Sequence, residues 1–368
     1  MPECSSGLTT TMVTRRQLLN SAGVLGSAGL SSLSGCGFQS DRFLIGGFNK
    51  QNQGYGVACL SSDLDIKWDF ESESRVHDIV VHTTLDLGAV AARRPGKHIQ
   101  LFSASAGMVL DKLIAPAGYH YEGHLYFDDT HLWATASRSE TSQSALIRYA
   151  IGSLTSPPDI LQLPGLGPHQ MVDAGDQQAW VAIGGWHTSD REILNQDGFN
   201  SKLILVNLKT GKVDSWDSPD PKLSIRHLAT DPSSLSRVFV AMQYPVPKPT
   251  DAPLIYRFTK EKHWAPVAEP KDGWEIFRGY IGSIAADENS VIAASPQGHA
   301  TVLWGKSGDE YLTKRPLMDA GGAAIIEGKP WLSSGSGQII AGSFDNKVAT
   351  RIHWDNHWTS YSPRSATS

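Results

Sequence analysis

Hydrophobic positions in this chain fall in short runs, broken every few residues by Gly, Pro, Asn, Asp or Ser, and apolar residues rarely recur at helical spacing. Such punctuation predicts strands rather than helices. A typical unit opens with a strand that follows a turn, as in His169-Gln170-Met171-Val172. A polar turn comes next, DAGDQ at 173–177, and then a small-residue strand, WVAIGG at 180–185. The third strand alternates and runs into a tight turn, LILVNLKTGKV at 203–213. The same succession returns with DPSS at 231–234 before VFVAMQ at 238–243, and with ADEN at 286–289 before VIAASP at 291–296.

The unit is a repeat. First strands beginning at His77, His124, His169, His227, Ser283 and Ala323 fall into register, at intervals of 47, 45, 58, 56 and 40 residues. A period in the forties with four short strands per unit predicts β-propeller blades. Six starts are visible, and FLIGGF, YGVACL and DIKWDF within 43–70 supply strands that lack a start of their own. The fold expected is therefore all-β: a seven-bladed β-propeller of four-stranded antiparallel blades, with N- and C-terminal segments sharing a blade and closing the ring. A β-sandwich is the runner-up, but it would not space its strands so regularly.

Blade geometry gives the repeated histidines a meaning. First strands line the central channel, so equivalent starts crowd one mouth. His77, His124, His169 and His227 hold one position in four consecutive blades, with Arg75, Glu122 and Arg226 one or two residues away. The insertions 186–200 and 244–253, the basic run Arg93-Arg94-Pro95-Gly96-Lys97, and His299 belong to loops on the same face. Neutral imidazoles with an open position suit Zn, Cu or Fe. An axial His with Arg partners for propionates suits haem, and Arg75, Arg226 and protonated histidines suit an anion. A hydrogen-bond relay between blades is the structural alternative, although no repeated Trp-Asp pair accompanies these histidines.

The N-terminus carries an address. Thr14-Arg15-Arg16-Gln17-Leu18-Leu19 has the residue order of a twin-arginine export signal, and Leu33-Ser34-Gly35-Cys36 that of a lipoprotein cleavage box. Residues 1–36 are read as a signal peptide ending at the lipid-bearing Cys36, 41–361 as one propeller domain and 362–368 as a C-terminal tail. Met12 is an alternative start. With Cys4 lost and Cys36 lipidated, Cys59 stands alone, so no internal disulfide is expected. Localisation is expected to be periplasmic and lipid-anchored. Gly37 rather than Asp after Cys36 slightly favours the outer over the inner membrane.

Bulk composition mainly excludes. At 368 residues and a net charge of −5 the chain offers no basic footprint for nucleic acid or an anionic membrane, leaving the lipid as its one expected membrane contact. There is no Gly-x-Ser-x-Gly elbow and no phosphate loop. His120/His124 and His353/His357 share an i, i+4 spacing that would make a metal pair on a helix. The β pattern assigns both pairs to coincidence. Lys209-Thr210-Gly211 reads as a turn, and of the 11 tryptophans only Trp186 sits in an insertion.

The stretches VHDIVVH, GAVAARRPGKHIQLF, GYHYEGHLYF, GLGPHQM, LSIRHLA, FVAMQYP, YIGSIAAD and AASPQG follow one order along 43–345. This succession resembles a bacterial family of exported propeller proteins catalogued as a domain of unknown function (number fifteen-thirteen). The resemblance implies a seven-bladed, YVTN-like propeller. Family members are often encoded beside iron-regulated imelysin-type and di-haem oxidoreductase-like proteins, which implies such iron-uptake proteins as partners. Two departures stand out: Val76-His77-Asp78 where Gly-His-Gly is usual, and Trp186-His187-Thr188 where Thr-His-Pro is usual. The leading expectation is a non-catalytic periplasmic lipoprotein that binds a metal, haem or a partner protein at the propeller mouth in iron acquisition. The alternative is a propeller enzyme, a metal-dependent lactonase-like hydrolase or a quinoprotein-like oxidoreductase, with Glu122 and Asp78 as its carboxylates.

Overall fold

The computed structural model describes residues 42–50, 54–154, 156–246 and 248–362. The export signal with Arg15 and Arg16, the lipidation position Cys36 and nearly all of the tail lie outside the described residues. The described residues form seven four-stranded antiparallel sheets and one two-stranded hairpin. No helix among the described residues is long and apolar enough to cross a membrane.

Six blades follow in chain order. Their inner strands are Val76–Val81, Tyr119–Phe127, Pro168–Gly175, Ser224–Asp231, Ser283–Ala286 and Ala320–Ile326, which define blades I to VI. Blade VII draws on both ends of the chain. Its inner strand is His353–Tyr361, which pairs with Phe43–Asn49; Tyr55–Ser61 and Ile66–Ser72 complete it outward. Inner strands of successive blades touch in a closed circle, ending where His353–Tyr361 meets Val76–Val81. Closure hydrogen-bonds the terminal strand into a sheet and leaves no open inner edge.

The taper of the ring explains the small-residue second strands. Blades converge toward the axis, so residues between neighbouring inner strands must be small, and bulk is placed farther out. Ala89, Ala91, Ala134, Ala136, Ala182, Ala241, Ala293 and Ala294 are fully buried there. Trp133, Trp180, Phe258 and Trp304 fill the wider gaps. Six apolar clusters tile the ring between adjacent blades; one joins Trp180 and Leu205 of blade III to Leu228, Phe239 and Phe258 of blade IV. The polar turns between first and second strands are built by aspartates. Asp128 accepts from the Thr130 and His131 amides, and Asp287 from those of Asn289 and Ser290. Such side-chain turns hold the hairpin while competing with helix.

A histidine cluster on the propeller axis

The inner strands share a defect that their sequence pattern conceals. Pairing with the second strand slips between Val76 and Asp78, Tyr121 and Leu125, Pro168 and Met171, and Ile225 and His227. It slips again between Trp354 and Trp358 in blade VII, and between Ala320 and Ala323 in blade VI. Each slip is a bulge, which bends a strand and re-aims the side chain it carries. His77, His124, His169 and His357 sit inside four of these bulges and His227 borders a fifth, and their rings pack together. Gly167 (φ 59°) and Pro168 set the bulge of His169. Gly123 (φ 102°) lets the His77 ring lie against the backbone, where any Cβ would stand 2.6 Å from His77 Cδ2.

The five rings form one packed group. Ring centres of His124 lie 4.7 Å from His77, 4.5 Å from His169, 5.7 Å from His227 and 4.9 Å from His357. His227 closes the group at 4.9 Å from His169 and 4.8 Å from His357. Exposure runs from 0% at His124 to 8% at His77, so the group plugs the axis instead of lining an open mouth. The histidines expected around one mouth of the channel thus converge, but as a buried group. Imidazoles converging from five blades occupy the volume near the axis themselves.

Donor atoms fall into two overlapping sets. One nitrogen each from His77, His124 and His357 lie within 4.8 Å of one another, and the same holds for His124, His169 and His227. His77 Nε2 and His124 Nε2 are 3.2 Å apart. Two nitrogens bound at about 2.0–2.1 Å to a tetrahedral ion stand roughly 3.3 Å apart, so this spacing suits a shared metal. Asp78 holds His124 from behind. Its Oδ2 accepts from His124 Nδ1 and from the Leu125 amide, both at 3.1 Å, and Oδ1 accepts from the Ile79 amide at 2.9 Å. With Nδ1 donating, a neutral His124 presents its Nε2 lone pair to the cluster. Ser283, the equivalent position of blade V, reaches His357 Nδ1 at 3.5 Å.

Burial holds four of these rings toward the neutral form. Burial pushes the His77, His169 and His227 imidazoles well below the usual value, and charge on neighbouring histidines and on Arg93 or Arg226 pushes the same way. His357 falls to about 3, through burial and then His124, with Asp78 opposing. Burial drives the Asp78 carboxyl up, but its hydrogen bonds to His124 and Leu125 outweigh that and leave it below the ordinary value. Three ring nitrogens are left buried without a hydrogen-bond partner: His169 Nδ1, His227 Nδ1 and His357 Nε2. Buried polar atoms are nearly always paired, and a run of exceptions in one place points to a ligand.

The other expected site residues lie apart from this group. Arg75 makes a two-pronged pair with Asp355, 2.7 Å at each contact, beside His353 and Asp319. Glu122 faces away from the cluster. Its Oε1 accepts from Ser137 at 2.6 Å and bonds His120 at 3.1 Å, and Arg94 stands 3.8 Å from Oε2. Burial pushes the Glu122 carboxyl up, yet these partners hold it down at about 2. Neither residue belongs to the imidazole group: Glu122 shares the bulge of His124 but turns to His120 and Ser137, and Arg75 precedes the strand Val76–Val81 and turns to Asp355. Arg226 is 2% exposed and lies over Trp186, 4.5 Å from the ring centre. Burial and the Arg94 charge pull its guanidinium well below its usual value. His299 is exposed and accepts from the Asp319 amide, away from the axis.

The family model described as "Protein of unknown function (DUF1513)" matches residues 71–361. The chain belongs to that family. No curated protein matches the sequence. Among solved structures it is similar to hydrazine synthase of Kuenenia stuttgartiensis, with TM-score 0.60 and 9% identity over 81% of this chain and 90% of that one. Apo AztD of Citrobacter koseri follows at TM-score 0.57 and 11% identity, over 89% and 100%. A functionally unknown protein from Desulfotomaculum acetoxidans reaches 0.56 and 12%, over 87% and 99%. At these identities the likeness is one of propeller fold.

Within this member of the family, His357 is the residue that the sequence pattern missed. It lies on the inner strand of blade VII, equivalent to the other four, but that strand is the last of the described ones and follows no recognisable blade start. The i, i+4 spacing of His353 and His357 is indeed no helical pair. His353 bonds the Gly335 carbonyl, and His357 alone joins the cluster. His120 likewise serves Glu122.

Proposed function

We propose that this protein is a periplasmic, lipid-anchored propeller that binds a divalent transition metal on its axial histidines, as a non-catalytic component of iron handling. The single observation that carries the metal reading is the set of three buried, unpartnered imidazole nitrogens within a five-histidine group. A structural relay would pair those atoms; a metal would engage those of the donor set it occupies, His169 and His227 in one set or His357 in the other. An all-nitrogen donor set with Asp78 behind it suits Zn, Cu or Fe(II). Haem is the poorer fit, because rings with centres 4.5 to 5.7 Å apart leave no gap for a macrocycle among them. The export signal at Arg15-Arg16, lipidation at Cys36 and the implied imelysin-like and di-haem oxidoreductase-like partners supply the periplasmic iron context.

The enzyme alternative loses its reacting carboxylates. Glu122 is held by His120 and Ser137, and Asp78 by His124 and two backbone amides. Metal analysis and titration of the full chain with Zn2+ and Fe2+ test the proposal. Tight uptake of one equivalent, lost in His124→Ala and His357→Ala but kept in His299→Ala, is expected. A protein indifferent to added metal would overturn it.

A further inference from the structure

Exposed apolar side chains are unevenly placed on this molecule. Among the described residues eleven large ones are exposed, and six of them are spread over blades I to VI. The other five, Ile66, Leu85, Met108, Val109 and Leu110, gather at one end of blades VII and I, with exposures of 43 to 59%. Strand register puts them there. Val81 pairs with Gly88, and Phe102 with both Gly88 and Val109, so the turn holding Leu85 and the strand start at Met108–Leu110 share an end. Ile66 pairs with Leu60, at the end of blade VII where Phe43 pairs with Ser61. Direct contacts hold these turns together. Trp68 Nε1 donates to the Ala104 carbonyl at 3.1 Å, and the Trp68 ring lies against Gly107 (φ 64°), where a Cβ would stand 2.5 Å from it. Asp86 Oδ2 accepts from Ser103 and Ser105, which ties the turn of Leu85 to the turn before Met108.

The chain enters the ring at this same end. Phe43 pairs there with Tyr361 and Ser61, and Cys36, read as the lipid-bearing residue, stands seven residues before it. Seven residues span at most about 25 Å at full extension. A lipid on Cys36 therefore keeps a bilayer within reach of the five side chains. Charge limits the kind of contact. Asp65, Lys67, Asp86 and Asp111 flank the five in sequence, so the surface offers no basic attraction and apolar burial must supply the adhesion. An exposed apolar patch rimmed by polar residues is what such a contact requires.

We propose that this end of blades VII and I rests on the bilayer, with its apolar side chains sunk to the boundary between headgroups and acyl chains. The proposal rests on the lipid anchor of the reading above. It adds an orientation that an anchor alone would not set. The 186–200 insertion follows Ile183, which pairs with the start of its inner strand, and the Arg93–Lys97 loop follows Ala92, which does the same. Both belong to the opposite end, which docking turns away from the membrane and leaves free for a partner.

The protein purified from the membranes of an export-competent host and reconstituted on phosphatidylcholine vesicles tests this, with the mass of its N-terminal peptide reporting lipid on Cys36. An environment-sensitive fluorophore is placed on Leu85→Cys, on Met108→Cys or, at the opposite end, on Met318→Cys; all three positions are exposed, and the native Cys59 is buried. Emission from 85 and 108 should shift to the blue on the vesicles and be lost to quenchers carried on the lipid chains. Emission from 318 should do neither. If Cys36 carries lipid and all three probes stay in water, the docking face is overturned and the anchor stands. Quenching at 85 and 108 with no lipid on Cys36 supports the face and overturns the anchor. No lipid and no quenching overturns both. Probes at 85 and 108 that are shielded before vesicles are added, with a doubled sedimenting mass, assign the patch to a second copy of the chain and overturn the proposal.

Discussion

Replacing Asp78 by Asn keeps the shape of the side chain and removes the charge that orients His124. The wild-type carboxylate takes three hydrogen bonds: His124 Nδ1 and the Leu125 amide on Oδ2, and the Ile79 amide on Oδ1. An amide has one accepting oxygen. If that oxygen keeps the two-donor position, the new NH2 faces the Ile79 amide, and one buried charge-assisted bond becomes a donor–donor contact. Such bonds contribute about 1.5–3 kcal/mol, so urea denaturation of the metal-free protein should show a loss of that order. The ring also loses an anionic partner, which makes its nitrogen a poorer ligand. Outer-shell losses of this kind cost roughly 10- to 100-fold in metal affinity. Competition with a chromophoric chelator measures that directly. If stability falls as stated but Zn2+ affinity stays within about threefold of wild type, Asp78 braces the strands and does not prepare His124 as a ligand, and the orientation argument fails.

Other consequences are open to test. His77, His169, His227 and His357 are all depressed in the fold, while the unfolded chain takes up protons near pH 6.5. The unfolded state thus binds more protons below that pH. Stability of the metal-free protein should be full above about pH 7 and fall as pH drops through 6.5, with a slope of up to about 1.4 kcal/mol per pH unit for each histidine. A flat profile between pH 7.5 and 5 in urea melts would contradict this. Gly46→Ala would place a Cβ 2.6 Å from Trp358 Nε1 at the joint between the chain ends, and should cost about 1–3 kcal/mol in thermal unfolding. An unchanged melting temperature would mean that the joint tolerates displacement of Trp358. Burial pushes the Cys59 thiol up to about 12 against a weak pull from Lys67, so a thiol reagent at pH 8 should label it only on unfolding. Rapid labelling of the folded chain would show that the strand Tyr55–Ser61 opens.

Strand–turn–strand units were readable because period-2 alternation, aspartate turns and alanine-rich second strands recur at a fixed spacing, each with a physical cause in the tapering ring. The convergence of His77, His124, His169 and His227 was readable for the same reason, since equivalent positions in a closed ring meet. The bulges were not. An inserted residue changes which face a side chain takes without changing the residue types around it. Glu122 consequently turns to His120, and Arg75, just ahead of its strand, turns to Asp355, from the far end of the chain. Asp78 follows His77 in sequence yet serves His124 of the next blade. His357 was hidden by topology: blade VII is completed by a strand whose partners lie some 300 residues earlier.

The most direct measurement is an X-ray absorption spectrum of the full chain carrying one equivalent of Zn2+. The account predicts a first shell dominated by nitrogen at about 2.0–2.1 Å, with the outer scattering of three or more imidazole rings, and loss of that pattern in His124→Ala. A shell of oxygen ligands, or an imidazole pattern that survives His124→Ala unaltered, would place the metal elsewhere and contradict it.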